Sequence, residues 1–172
     1  MVLSQKELAT GDLLFHAVHG ACRVDNIVNE NHSGKDVRCY SLVPKTPSRM
    51  KVRFVVSVVD IRASGFHEPV SLKEAHEILE YLKAGVLAAV SDKEEAWALA
   101  RAILASQRDK PELKDARKCQ VLERSAKGLV GELAFVLKVT LKDAAASVQR
   151  SLGNVSQISP MVLTALARAG KD

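Results

Sequence analysis

The residues best able to do chemistry in this 172-residue chain are its five histidines, three cysteines and single tryptophan. His16 and His19 stand three apart in GDLLFHAVHGACRVDNIV, the stretch from Gly11 to Val28. A metal shell needs further ligands converging on such a pair. On an extended strand and turn this spacing points the two rings in different directions, and no second cluster follows, so both read as turn and surface histidines. Cys22, Cys39 and Cys119 are far apart and odd in number, which argues against a disulfide framework or a paired-cysteine metal site and for buried free thiols. No Gly-rich phosphate loop, nucleophile elbow or two-histidine helix motif is present. Gly128 and Gly131, in GLVGEL, fall inside a helical pattern and read as close-packing sites. Acids and bases lie mostly on polar helix faces, where exposed ion pairing accounts for them. The chain therefore reads as a binding protein with two contact surfaces, with no catalytic residues, no metal and no cofactor.

Charge supplies the next candidate. A net charge of +5 permits contact with a polyanion, but the 20 acidic residues are interspersed with the 25 basic ones. The densest basic run is Arg101, Arg108, Lys110, Lys114, Arg117, Lys118, Arg124 and Lys127, spanning the end of one helical segment, a turn and the start of the next. Asp109, Glu112, Asp115 and Glu123 dilute it, so a phosphate-contacting patch and an ordinary solvated face are both open readings. Trp97, in EEAWALARAIL, shares a stripe with Ala100, Arg101 and Leu104, which favours a partly buried core role over a nucleic-acid wedge.

The elements that must position these residues change character near residue 70. Hydrophobic residues make up 47% of the chain, enough for one compact domain or two small ones. Up to Ile61 the pattern is strand-like. An apolar run stops at His19-Gly20, where glycine can take the positive φ of a tight turn, and CRVDNIV then alternates, with Cys22, Val24 and Asn26 on one face and Arg23, Asp25 and Ile27 on the other. VRCYSLV and RMKVRFVV follow, separated by turn formers and by PKTPS. In the latter strand Met50, Val52 and Phe54 share one face, and Lys51, Arg53 and Val55 the other. Four or five such short strands make a small barrel or strongly bent sheet.

From Ser71 the period becomes helical. Ser71 and Glu74 have capping-box spacing, Leu72, Ala75, Ile78, Leu79 and Leu82 form an apolar stripe, and Gly85 stops the helix. Ser91 with Glu94 opens a second helix, residues 112–138 read as a longer third, Thr140 with Asp143 opens a fourth that Gly153 closes, and Ser159-Pro160 opens a last one ended by Gly170. The expected class is α+β: residues 1–68 a small β barrel, 69–153 an all-α helical domain, and 154–172 a C-terminal extension with one short helix. No apolar run approaches the roughly 20 residues of a bilayer span, and MVLSQKELATGD lacks the apolar segment of a signal peptide. A cytoplasmic location is expected.

Two segments in this order resemble a known family. GDLLFHAVHGACRVDNI is similar to the opening signature of the CarD/CdnL family through Gly11, Asp12, His19, Gly20, Val24 and Ile27. VLERSAKGLVGELAFVLKVTLKDAAASVQRSL is similar to that family's C-terminal helices through Leu122, Glu123, Arg124, Glu132, Leu133, Ala134 and Ala144 to Ala146. The resemblance spans about residues 9 to 152. It implies a bacterial transcription regulator whose Tudor-like barrel, of a type shared with a transcription-repair coupling factor, docks on the β subunit of RNA polymerase. The helical domain would then touch promoter DNA at the upstream edge of the melted bubble. By position, Leu42, Lys51, Arg53 and Val55 would form the polymerase-binding face, and Arg101, Arg108, Lys110, Lys114, Arg117 and Lys118 the DNA-binding one.

The chain departs from the family's pattern in three places. Phe15-His16-Ala17 stands where a Tyr-Pro is usual, Val55 stands where a proline usually ends the fourth strand, and the helix carrying a Trp-Arg-Arg-Tyr wedge is replaced by LKAGVLAAVSDKEEAW. Trp97 aligns with a core position. DNA contact would then rest on the basic residues alone and be weak, without sequence specificity and steeply salt-dependent. The alternative implied is a polymerase-binding adaptor or competitor without direct DNA contact.

Overall fold

The computed structural model describes residues 7–46, 52–86, 95–109, 115–153 and 157–171. Four strands come first, β1 (Leu13–His16), β2 (Gly20–His32), β3 (Lys35–Pro44) and β4 (Phe54–Ser57). Five helices follow, α1 (Leu72–Ala84), α2 (Glu95–Asp109), α3 (Ala116–Leu137), α4 (Leu141–Gly153) and α5 (Pro160–Ala169). The fold is α+β, and the chain divides into two compact units, Met1–Glu68 and Pro69–Asp172.

The strands form an antiparallel meander in the order β1-β2-β3-β4. Its turns follow from local chemistry. His16 pairs with Gly20 across residues 17–19, and Gly20 sits at φ 70°, a value a side chain would strain. His32 pairs with Lys35, so Ser33 and Gly34 make a two-residue turn; both have positive φ, 54° and 82°, the combination that matches the twist of a hairpin. Asn31 Oδ1 accepts from the Gly34 amide at 3.0 Å and holds that turn.

One departure from plain alternation sets the geometry of the sheet. Val24 pairs with Leu42 but Asn26 pairs with Ser41, so Asp25 is an extra residue, a β-bulge. The expected faces of β2 therefore hold only as far as Val24. Beyond the bulge, Ile27 packs against the core and Asn26 is exposed, the reverse of the sequence expectation, because an inserted residue turns the rest of the strand over. The bulge also sharpens the local bend, and the strands curl into a half-barrel. Its core is Leu8, Leu14, Cys22, Val24, Tyr40, Leu42, Ile61 and Phe66, with Ile27, Phe54, Val56 and Val58 at the margin. Tyr40 fills it while its hydroxyl accepts from the Leu8 amide at 3.1 Å.

In the second unit α3, 22 residues long, packs against the other four helices. Leu122, Ala126, Leu129, Val130 and Leu133 are buried along it. Gly128 is buried as well and Gly131 half-buried, in keeping with close packing. The caps obey the sequence rules where they are described. Ser71 and Glu74 close a reciprocal capping box on α1, which ends at Gly85 with φ 65°. Asp143 N donates to Thr140 Oγ1 at 3.1 Å, and Val162 N donates to Ser159 Oγ at 3.3 Å with Pro160 at the first position of α5. The expected Ser91/Glu94 cap lies outside the described residues, as does the expected start of the third helix at Glu112. The described part of α3 opens with Asp115 as its cap. Leu72 does not join the buried stripe of α1: it is 57% exposed, at the first helical position where the chain is only entering the bundle.

The segment set apart by sequence as an extension belongs to this bundle. Met161, Val162, Ala165, Leu166 and Ala169 of α5 are buried, and α5 packs on α3 and α4. The buried Gln107 of α2 holds its entry, donating from Nε2 to the Gln157 carbonyl and accepting from the Ser159 amide, both at 2.9 Å. Among the described residues no helix is long and apolar enough to cross a membrane.

Gln107→Ala removes the partner of the buried Ser159 amide and of the Gln157 carbonyl together, at a cost of about 1–3 kcal/mol. The expected result is a lower urea midpoint and faster hydrogen exchange concentrated in α5.

Candidate functional site

Among the described residues the sheet presents one open edge. The outer side of β1 is taken, since Phe15 and His67 exchange backbone hydrogen bonds of 2.8 and 3.1 Å. β4 pairs with β3 through Leu42↔Phe54, Ser41↔Val55, Tyr40↔Val56 and Cys39↔Ser57, and among the described residues no strand pairs with its far side. The ladder assigns the faces. Val55 points outward and is 43% exposed, and Arg53 just before the strand is exposed too. Leu42 does not belong with them. It lies opposite Phe54 on the inner face and is 0% exposed, so its side chain is core and unavailable to a partner. Lys51 lies outside the described residues.

Sequence reasoning missed two residues on this outer face. Arg53 Nη2 donates to Asp25 Oδ2 at 3.1 Å, and Arg23 Nη2 lies 4.0 Å from the other oxygen of the same carboxylate. The signal was present in the polar Asn26 at a position that strict alternation assigns to the apolar face. That mismatch marks a bulge, and the bulge swings Asp25 toward the arginines.

The histidines also differ from expectation. His16 and His19 do not diverge: their rings stack with centroids 4.5 Å apart, because the chain reverses between them. His16 Nδ1 accepts from the amides of Val18 and His19 at 3.0 and 3.2 Å, so the neutral ring carries its proton on Nε2. His19 in turn packs on Phe54, 4.4 Å between centroids. The pair braces the hairpin. Among the described residues no three His, Cys, Asp or Glu side chains are grouped to hold a metal.

Two of the free thiols belong to the sheet, Cys22 in its core and Cys39 on β3. Cys22 and Cys39 are buried and Cys119, in α3, is half-buried. Burial pushes the Cys22 thiol from the usual 9.0 up to about 11. Cys39 is also raised, by burial first and then by the carboxylates of Glu30 and Asp60.

The basic candidates of the helical unit separate into different roles. Arg101 is half-buried. Arg108 Nη2 donates to the Gly85 carbonyl at 2.8 Å, satisfying the end of α1. Lys110 and Lys114 lie outside the described residues. Arg117 and Lys118 are exposed at the start of α3, and Lys118 Nζ is 3.9 Å from the capping Asp115. Arg124 and Lys127 are exposed further along, and helical spacing places Arg117, Arg124 and Lys127 on one side of α3. Glu123, one of the acids that dilutes the run in sequence, is bonded to Arg168 of α5. Trp97 is half-buried with its ring edge-on to Tyr81, 5.6 Å between centroids, in line with the core role. Glu132, part of the motif that carried the family resemblance, is wholly buried and accepts from the Val70 amide at 3.0 Å, tying α3 to the entry of α1.

The lowered acidity of the Cys22 thiol in the fold gives its effect on stability a definite sign. Below pH 9 Cys22 is protonated folded or unfolded and contributes nothing. Between 9 and about 11 the unfolded thiol ionises while the folded one does not, so stability falls as pH rises. Urea unfolding of the native chain should lose about 2–3 kcal/mol more over that interval than Cys22→Ala does.

The chain matches no protein-family model and no curated protein.

Proposed function

We propose that the chain is a CarD-like transcription regulator. Its N-terminal sheet, read as a Tudor-like barrel, binds the β subunit of bacterial RNA polymerase, and its helical unit modulates the promoter open complex, with no catalytic step. What carries this reading is one coincidence. The family's opening signature falls on a curled antiparallel sheet with an edge at β4 that no described strand covers, and Arg53 and Val55 face outward beside it. Natural sheets blunt or cover their edges, and a bare one with a patterned outer face suits the addition of a partner's strand.

For the helical unit, the exposed Arg117, Lys118, Arg124 and Lys127 on α3 are the cations best placed to meet phosphates. They carry no means of reading bases, so the contact would be backbone-directed. A second reading is favoured by the engagement of Trp97 with Tyr81 and of Arg108 with the Gly85 carbonyl. With no tryptophan wedge and fewer cations to spare, the protein would act as an adaptor that holds or competes for the polymerase without touching DNA.

Capture of the full chain by the isolated β-subunit lobe tests the first half. Wild type should be retained and Arg53→Glu should lose roughly tenfold in affinity; retention of Arg53→Glu at wild-type strength removes this face from the reading. Retention on duplex DNA at low salt tests the second. If α3 contacts phosphates, the Arg117→Glu/Arg124→Glu pair should flatten the log–log salt slope by about 2, whereas an adaptor shows no retention to lose.

A further inference from the structure

We propose that the two units are joined by a stiff two-residue link, Glu68-Pro69, pinned on one side by the backbone of His67 and on the other by the buried carboxyl of Glu132. The link lies in FHEPV, residues 66–70. On its sheet side Phe66 is buried, with its ring centroid 5.8 Å from that of Phe54 and 4.8 Å from that of His16. His67 then donates to the Phe15 carbonyl at 3.1 Å and accepts from the Phe15 amide at 2.8 Å, so its backbone moves with β1. On the helical side Val70 is buried, and its amide donates to Glu132 Oε1 at 3.0 Å, which fixes the peptide plane between Pro69 and Val70 to α3. Ser71 follows as the cap of α1, its amide donating to Glu74 Oε2 at 2.7 Å. The chain is thus committed to the sheet as far as His67 and to the bundle from Val70 onward.

What remains between the pins has little freedom. Backbone rotation is left to the φ and ψ of Glu68 and the ψ of Pro69, because the pyrrolidine ring fixes the remaining φ. Glu68 is restricted further, since a residue before proline is driven out of the helical region toward extended backbone. The three peptide steps from His67 to Val70 reach no more than about 11 Å. A glycine-rich stretch of equal length would lack the torsional restraints. The two pins differ in kind. At His67 the chain makes a strand-like bridge, whereas at Val70 it depends on one side chain 62 residues further along. Without that acceptor a buried amide has no partner, so Val70 must leave the interior for water and the link grows by one residue. Glu132 is therefore a positioning residue: it sets where the bundle begins and touches no partner itself. The consequence is mechanical. A partner gripping the sheet also limits the directions in which the helical unit is presented, which confines that unit to a small volume and raises its effective concentration at a neighbouring site. The link stands on these hydrogen bonds and holds whatever the partners are.

Residual dipolar couplings of the isotopically labelled full chain in a neutral aligning medium test the link. Fitted separately to the strands and to the helices, they give one alignment tensor for each unit. The two tensors should have the same magnitude in wild type, and a Gly-Ser-Gly-Ser insertion between Glu68 and Pro69 should make them differ by roughly twofold. Glu132→Leu should also separate them and speed hydrogen exchange of the Val70 amide roughly tenfold or more. Glu132→Gln, which keeps an acceptor, should hold both readings at the wild-type value. Pro69→Gly touches neither pin and serves even if Glu132→Leu does not fold: it should separate the tensors while the amide shifts of β2 and α3 stay unchanged. Tensors that already differ in wild type, or that stay equal in Pro69→Gly, overturn the stiff link. Wild-type exchange at Val70 in Glu132→Leu, or release of Val70 in Glu132→Gln as fast as in Glu132→Leu, overturns the part assigned to the Glu132 carboxyl.

Discussion

Four described strands paired in line leave two edges, each a row of backbone donors and acceptors that water, the chain itself or another molecule has to satisfy. Here the two edges are treated differently. The β1 side is finished internally by the return of the chain at His67, while the described part of the chain leaves the β4 side unfinished. That asymmetry orders the first unit. On the inner face the stacked histidines, Phe54 and Phe66 form one packed aromatic group that reaches β4, while on the outer side beside β4 Arg53 and Val55 are exposed and mixed in character.

The second unit solves a different problem, the burial of the apolar faces of several amphipathic helices. Its answer is a long central helix rich in small residues, Ser125, Ala126, Gly128 and Ala134 among them, which lets neighbours approach from several sides. Two of the polar side chains caught inside are matched: Glu132 meets a backbone amide, and Gln107 meets a carbonyl and an amide. These contacts are directional where apolar packing is not, and they set where α1 and α5 begin.

Much of this was legible in the residue pattern. The caps at Ser71, Thr140 and Ser159, the positive φ at Gly20 and Gly85 and the change of period near residue 70 each follow from a local rule, and each appears in place. What alternation could not supply was the bulge, since a period-two reading carries its phase forward and assigns every later residue of β2 to the wrong side. The same habit of reading strand faces by position alone put Leu42 on a partner surface, although the ladder sets it opposite Phe54 in the core. Long-range polar contacts such as Arg53 with Asp25, 28 residues apart, have no periodic signature at all.

The extra residue in β2 carries an implication for how this chain tolerates change. Replacing Asp25 by another residue alters what stands on the outer face but keeps the phase of the strand. Removing it would let the ladder run straight from Val24 with Asn26 still opposite Ser41 and Ile27 still opposite Tyr40, so both faces are kept while the local bend is lost. Shortening and lengthening at that position are thus unequal events: losing the extra residue costs the curl of the sheet and the carboxylate on its outer face, whereas a further residue paired into the ladder would turn Ile27 out of the core.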